Sequence, residues 1–215
     1  MAEPILFERL VVGPLGVNCY LYGDPDSRDA VCIDPGSEGL RIVSRAKEQG
    51  LRVLAVLITH AHADHIVAAH DVADAFGAPV LAPDGEQDLW ALASEFCTLW
   101  GFTVPQPPPP DEWFTPGSTL RFGPIEFDTL DVRGHSPAGV AYSAPGIVFT
   151  GDALFADSIG RTDLPGQDHL TLIDRIRRNL LSLPPNTIVY PGHGPKTTIG
   201  REARSNPFLL DHGPG

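Results

Sequence analysis

Thr59-His60-Ala61-His62-Ala63-Asp64-His65 is the stretch on which the reading of this chain turns. It places three of the eight histidines and one aspartate within six positions, directly behind the apolar run 53–58 (VLAVLI). That run is continuous and rich in β-branched residues, which predicts a strand covered on both faces. Residues two apart share one side of an extended chain but lie on opposite sides of a helix. His60 and His62 can therefore grip one ion together only while the chain is still extended beyond the strand. Asp64 and His65 fall where a helix should begin and point elsewhere, so one loop offers two separate ligand pairs. The spacing differs from HExxH, in which histidines four apart on a helix hold a single metal. An exposed polar loop is the competing reading, and so dense a set of ligand-type side chains speaks against it.

Two pairs do not complete two metal sites, so other segments must contribute. Three candidates each follow an apolar strand: His135 behind 125–132, Asp152 behind 147–150 and His193 behind 187–190. Their settings are Arg133-Gly134-His135-Ser136-Pro137, Thr150-Gly151-Asp152 and Pro191-Gly192-His193-Gly194-Pro195. A glycine precedes each one, which lets the backbone turn sharply and present the side chain at a strand end. Any one of them alone is as well explained as a structural residue. The repeated pattern, added to the first motif, points to one site.

Around these residues the pattern predicts strands over 5–12, 18–22 and 30–33, the turn Asp34-Pro35-Gly36, and a helix over 39–49 stopped by Gly50. A helix from the histidine motif to Gly77, a strand over 79–82 and a helix over 86–99 follow. PQPPPP at 105–110 should be a stiff extended connector, a surface loop in preference to an edge or lid of a cleft. Strands over 119–122, 125–132, 140–143, 147–150 and 187–190, with a charged amphipathic helix over 169–181, complete the order. This is an α+β arrangement that fits a four-layer αββα sandwich of two mixed β-sheets with outer helices. With no internal repeat and no break in composition, residues 1–215 read as a single domain.

Hydrophobic residues at 42% and charged residues at 20% describe an ordinary globular chain. No stretch approaches the roughly 20 apolar residues of a membrane span. The first ten residues, MAEPILFERL, lack the basic and apolar regions of a secretory signal, so a cytoplasmic location is the expectation. Cys19, Cys32 and Cys97 are odd in number and widely spaced, which suits reduced, buried thiols. A formal net charge of -12 argues against a nucleic-acid partner, though bound cations would offset part of it.

THAHADH (59–65), GHS (134–136), TGDALF (150–155) and YPGHGP (190–195) together resemble the metallo-β-lactamase fold superfamily, in particular its short, single-domain glyoxalase II-like members. The likeness runs from Asn18-Cys19-Tyr20 and Asp34-Pro35-Gly36 nearly to the end of the chain. It implies that His60, His62 and His135 bind one metal, that Asp64, His65 and His193 bind a second, and that Asp152 bridges both. Two divalent ions are implied, zinc foremost, with iron or manganese also compatible because His/Asp sites discriminate poorly. The implied partner is a small acyl-thiol, S-lactoylglutathione or a relative, cleaved by a metal-bridging hydroxide available near neutral pH. The metals would stabilise the tetrahedral oxyanion, and a thiolate leaves without a strong acid because its conjugate acid has a pKa of about 8.5. Asp64 is the catalytic candidate, orienting the hydroxide as well as ligating. Asp34 reads as an outer partner holding the histidine loop, against a plain turn residue.

The segment Gly160-Arg161-Thr162-Asp163 also resembles persulfide dioxygenases, which use one iron on much of the same ligand set; the TTIG and NPFL segments after PGHGP favour the hydrolases. Hydrolysis of a phosphodiester or lactone is a further alternative. Aspartate at 152 departs from a lactamase group that has cysteine among its ligands, which reads against antibiotic hydrolysis. Arg161 is a candidate for a substrate carboxylate, with an ion pair to Asp163 as the plainer reading. Lys196 and Arg201 are the basic candidates for an anionic thiol carrier, against ordinary surface charges. The C-terminal helical domain that serves glutathione in full-length glyoxalase II enzymes is not expected here, which leaves glutathione specificity open. His70, His169, His212, Trp90, Trp100 and Trp113 read as surface or core residues.

Overall fold

The computed structural model describes residues 5–99, 101–164 and 166–210. Its first half contains β1 (Ile5–Val12), β2 (Val17–Gly23), β3 (Asp29–Ile33), α1 (Gly39–Glu48), β4 (Arg52–Leu57), α2 (Ala63–Ile66), α3 (Ala69–Phe76), β5 (Val80–Pro83), α4 (Gln87–Ala91), α5 (Ala93–Leu99) and β6 (Glu112–Phe114). The second half contains β7 (Thr119–Phe122), β8 (Ile125–Asp131), β9 (Val140–Ala144), β10 (Ile147–Gly151), β11 (Leu154–Phe155), β12 (Ser158–Ile159), α6 (His169–Arg175), β13 (Ile188–Pro191), β14 (Thr197–Thr198) and α7 (Ile199–Ser205). One six-stranded sheet runs β1-β2-β3-β4-β5-β6 and the other β14-β13-β10-β9-β8-β7. Both are mixed: β3, β4, β5 and β6 are mutually parallel in the first, while β10 and β13 form the parallel pair of the second.

Side-chain alternation on the central strands builds the layers. Along β2, Cys19 and Leu21 join a cluster with Ile42, Ile66 and Val72 of the helices, while Tyr20 and Tyr22 face Phe127, Tyr142 and Phe149 of the other sheet. Every residue of β2 is buried, as expected where both faces are covered. On the far side, Ala141 and Val148 pack with Leu172, Ile176 and Ile199, closing the αββα order. Cys19, Cys32 and Cys97 are free and buried, as their spacing suggested. Among the described residues no helix is long and apolar enough to cross a membrane.

Several elements differ from the expectation. The helix foreseen from the histidine motif to Gly77 breaks at Ala68, whose N–H donates to the Pro35 carbonyl at 3.0 Å instead of continuing the helical ladder. The helix over 86–99 divides at Leu92. The helix over 169–181 tightens no further after Arg175 but widens into a π-turn at Ile176–Leu180. The short elements β6, β11, β12, β14 and α7 carried no pattern long enough to read.

Candidate metal centre

His60, His62, Asp64, His65, His135, Asp152 and His193 converge where β4, β8, β10 and β13 end. His60 Nε2 lies 2.9 Å from His62 Nδ1, which in turn lies 2.9 Å from His135 Nε2. The outer hydrogen bonds fix which ring nitrogens are bare. Thr59 donates its hydroxyl to Asp34 Oδ2 at 2.7 Å, so its oxygen accepts from His60 Nδ1 at 3.0 Å. His135 Nδ1 donates to the Arg161 carbonyl at 2.8 Å. Both rings therefore present a lone pair at Nε2 to His62. Burial pushes all three imidazoles below their ordinary pKa, His62 down to about 3, which keeps them neutral. Three neutral nitrogens aimed at one point form the donor set a divalent ion takes.

Asp64, His65 and His193 form a second group beside the first. His193 Nε2 stands 3.3 Å from Asp64 Oδ2 and 3.5 Å from Asp152 Oδ2. His65 Nε2 is 3.5 Å from Asp152 Oδ1, and His135 Nε2 is 3.6 Å from Asp152 Oδ2. One carboxylate thus faces members of both groups. His65 Nε2 and Asp152 Oδ1 are buried without a hydrogen-bond partner. Such orphans cost about 1–3 kcal/mol each, and a cation between them satisfies both. Burial resists a charge on His65, yet the carboxylates of Asp152, Asp64 and Asp34 outweigh it and raise its pKa. Burial likewise opposes ionisation of Asp152, and His65 overrides it, holding the carboxyl well below its usual range. The donor set fits two adjacent divalent ions and contains no sulfur.

The supports reach across the chain. Asp34, in a left-handed backbone conformation at φ 51, accepts from Thr59 N at 2.8 Å, from Thr59 Oγ1 at 2.7 Å and from His65 Nδ1 at 3.0 Å. It braces a member of each group. Asn18 Nδ2 donates to the carbonyls of Pro191 and Gly194 at 2.8 and 3.0 Å, and the Tyr20 hydroxyl donates to Pro191 at 2.6 Å. These bonds anchor the loop of His193. The glycines ahead of the ligands work in two ways. Gly134 and Gly151 adopt positive φ, whereas at Gly192 a Cβ would sit 2.2 Å from Asp152 Oδ1.

Glu86 is the residue that sequence reasoning missed. Fully buried, it accepts from Ala61 N at 2.9 Å and from Ala138 N at 2.6 Å, tying the loop of His60 and His62 to the loop behind His135. Burial raises its carboxyl pKa. In the sequence it is only an acid near a helix start, and its partners lie 25 and 52 positions away.

The centre opens on a cavity of about 540 Å³ walled by Leu89, Leu92, Phe96, Pro137 and Leu164. Arg161 borders it, but its guanidinium is held by Asp163 at 2.8 and 2.9 Å. Lys196 and Arg201 are placed elsewhere, which favours the alternative reading of ordinary surface charges over contacts to a thiol carrier. They border a different cavity that none of the seven residues lines, and Arg201 is paired with Asp157 at 2.5 Å and Glu202 at 2.8 Å. The proline connector lies against the helices: Trp90 Nε1 donates to Pro108 at 2.8 Å, and His70 Nε2 is 3.1 Å from the same carbonyl. Residues 105–110 do not border this cavity. Trp90 is core, Trp113 packs on it, and His169 meets Thr162 at a helix start. Trp100 and His212 lie outside the described residues.

Two mixed sheets between helices, with a His/Asp cluster at the strand ends, narrow the class of protein to metal-binding αββα sandwiches. The family model described as the metallo-beta-lactamase superfamily matches residues 12–193, and the chain belongs to that superfamily. "Probable metallo-hydrolase YqgX" of Bacillus subtilis is 40% identical over 207 residues, covering 94% of this chain and 97% of that protein. "Hydroxyacylglutathione hydrolase GloC" of Haemophilus influenzae is 39% identical over 197 residues, covering 89% and 92%. Among solved structures, BLEG-1 B3 metallo-beta-lactamase superposes with TM-score 0.87 at 38% identity, covering 94% of this chain and 98% of that one. TTHA1623 in a di-iron-bound form superposes with TM-score 0.86 at 43% identity, covering 94% and 100%.

Proposed function

We propose that this protein is a binuclear metallo-hydrolase that cleaves an acyl-thiol ester, S-lactoylglutathione or a relative, as glyoxalase II enzymes do. The observation that carries the proposal is Asp152, whose carboxylate faces both groups of donors and keeps one oxygen without a partner. His60, His62 and His135 would hold one ion and Asp64, His65 and His193 the other, with the Asp152 carboxylate within reach of both. When bound, the ions supply Lewis acidity and a water acidified to near neutrality. Asp64, which borders the cavity, accepts a hydrogen bond from the attacking water and aims it at the acyl carbon. His193, more exposed than His65 or His135, borders the cavity the substrate enters.

The cavity supports a good leaving group. Beyond the seven donors, no carboxylic acid or histidine borders it among the described residues, so nothing stands ready to protonate an amine or alkoxide. A thiolate, with a conjugate-acid pKa of about 8.5, needs no such acid. The relative described as a hydroxyacylglutathione hydrolase supports the same substrate class, and the di-iron neighbour supports two ions, with zinc, iron and manganese all compatible.

A persulfide dioxygenase is the second reading, favoured by Gly160-Arg161-Thr162-Asp163, whose Arg161 carbonyl orients His135. The B3 lactamase neighbour also weakens the exclusion of β-lactams drawn from Asp152. One assay separates the three: the metal-loaded protein is given S-lactoylglutathione, glutathione persulfide and a β-lactam in turn, with an oxygen electrode running. Thiol release from the thioester without oxygen uptake is expected. Oxygen uptake on the persulfide, or turnover of the β-lactam alone, would replace the thioester reading.

A further inference from the structure

Beside the cavity already described lies a second one of about 350 Å³, between the loop that joins β1 to β2, the start of α2 and the segment that follows α5. The two share Leu15, Ala63 and Asp64 at their borders. Leu15 therefore stands as a sill between two lobes that share Asp64 of the His/Asp cluster. The lobes differ in chemistry. The larger one is bordered by Arg161 and Gln167 as well as by its apolar residues. The smaller one is walled by Val12, Val67, Phe102 and Val104, and among the described residues Asp64 is the only charged one on its border.

We infer that the smaller lobe is the acyl pocket of the enzyme, and that it takes straight apolar acyl chains in preference to a short hydroxyacyl group, with the thiol carrier lying in the larger lobe. The inference rests on the thioester reading above. Two observations carry it. Asp64, a member of the His/Asp cluster, borders both cavities, so an acyl chain that passes Leu15 into the smaller one leaves its carbonyl on the cluster's side. In addition, Leu15 and Phe102 are 45% and 38% exposed at this lobe, and Leu92 is 38% exposed at the neighbouring one. Large apolar side chains grouped in the open around a cavity mark a surface that a ligand covers. A methylene displaces roughly the 30 Å³ that is a water's share of the liquid, so the lobe of about 350 Å³ has room for an acyl chain of medium length.

The test uses thioesters of one carrier, N-acetylcysteamine, with acyl chains from acetyl to octanoyl and a lactoyl member for comparison. Burial of each methylene predicts a rise in kcat/KM of about fourfold until the lobe is full, and the lactoyl ester should fall below the butanoyl one. Thr103→Trp, on the exposed wall of the lobe, and Ser37→Phe, opposite, should flatten that series. A flat chain-length series in the unaltered enzyme, or an unchanged series in both variants, overturns the acyl pocket while leaving thioester hydrolysis standing. If no thioester is cleaved, the thioester reading falls. Calorimetry with the straight-chain carboxylates then decides the pocket by itself: affinity that climbs with length and is lost in the variants upholds it, and affinity independent of length overturns it.

Discussion

Asp34 Oδ2 meets His65 Nδ1 at 3.0 Å, with both side chains shut away from solvent. That contact directs the other ring nitrogen of His65 toward Asp152, and the same carboxylate also holds Thr59, the partner of His60. An outer carboxylate of this kind fixes the tautomer and orientation of a ligating imidazole.

Removing it should therefore loosen metal without touching a ligand. Asp34→Ala is expected to lower metal affinity 10–100-fold, measured by competition with a chromophoric chelator. Asp34→Asn should lose less, because asparagine tolerates the left-handed backbone at this position and keeps one acceptor oxygen. Equal affinity in Asp34→Ala and the unaltered protein would remove Asp34 from the centre.

Glu86 joins two ligand loops through the N–H groups of Ala61 and Ala138. Glu86→Ala leaves two buried donors unpaired, at about 1–3 kcal/mol each, so denaturant unfolding should show a loss of that order. Metal affinity should drop with it, since the loops carry His60, His62 and His135. Glu86→Gln, which retains one acceptor oxygen, should fall between the two.

Gly192 is required for space. A methyl group there would meet Asp152 Oδ1 at 2.2 Å and His65 Cε1 at 2.8 Å. Gly192→Ala should keep the circular dichroism of the fold while losing bound metal and activity together. Full metal content in this variant would mean that Asp152 can move aside without consequence.

Asp131, at the end of β8, predicts an acid-sensitive step. Burial pushes its carboxyl pKa up, but the Arg133 guanidinium at 2.7 Å and the Arg133 N–H outweigh this and hold it low. A depressed folded-state pKa contributes stability above the ordinary carboxylate range, and that contribution is lost as pH falls through the folded value. Between pH 5 and pH 3, Asp131→Asn should lose less melting temperature than the unaltered protein. Parallel curves for the two proteins would exclude the pair.

The histidine loop was legible because its chemistry is local: an apolar strand, an extended His60-Ala61-His62, then Asp64 and His65 at a helix start. His135, Asp152 and His193 were legible by repetition of strand, glycine and ligand. Glu86 was not, because its meaning lies in contacts with Ala61 and Ala138, and no local pattern announces them. The order of layers could be read from the long strands, while β6, only three residues behind the proline connector, could not. The break at Ala68 comes from the Pro35 carbonyl taking its N–H, a contact between segments 33 residues apart in sequence. Lys196 and Arg201 could not be decided from sequence: closeness to His193 along the chain offered a cleft role beside that of plain surface charges, and in space α7 carries Arg201 to Asp157.

The central claim, a binuclear centre bridged by Asp152, is tested most directly by the metal content per chain of the unaltered protein and of Asp152→Ala, both purified under reducing conditions and verified as folded. About two ions per chain, falling together in the variant along with loss of thioester hydrolysis, is the predicted result. Retention of two ions by Asp152→Ala would contradict the bridge and the account built on it.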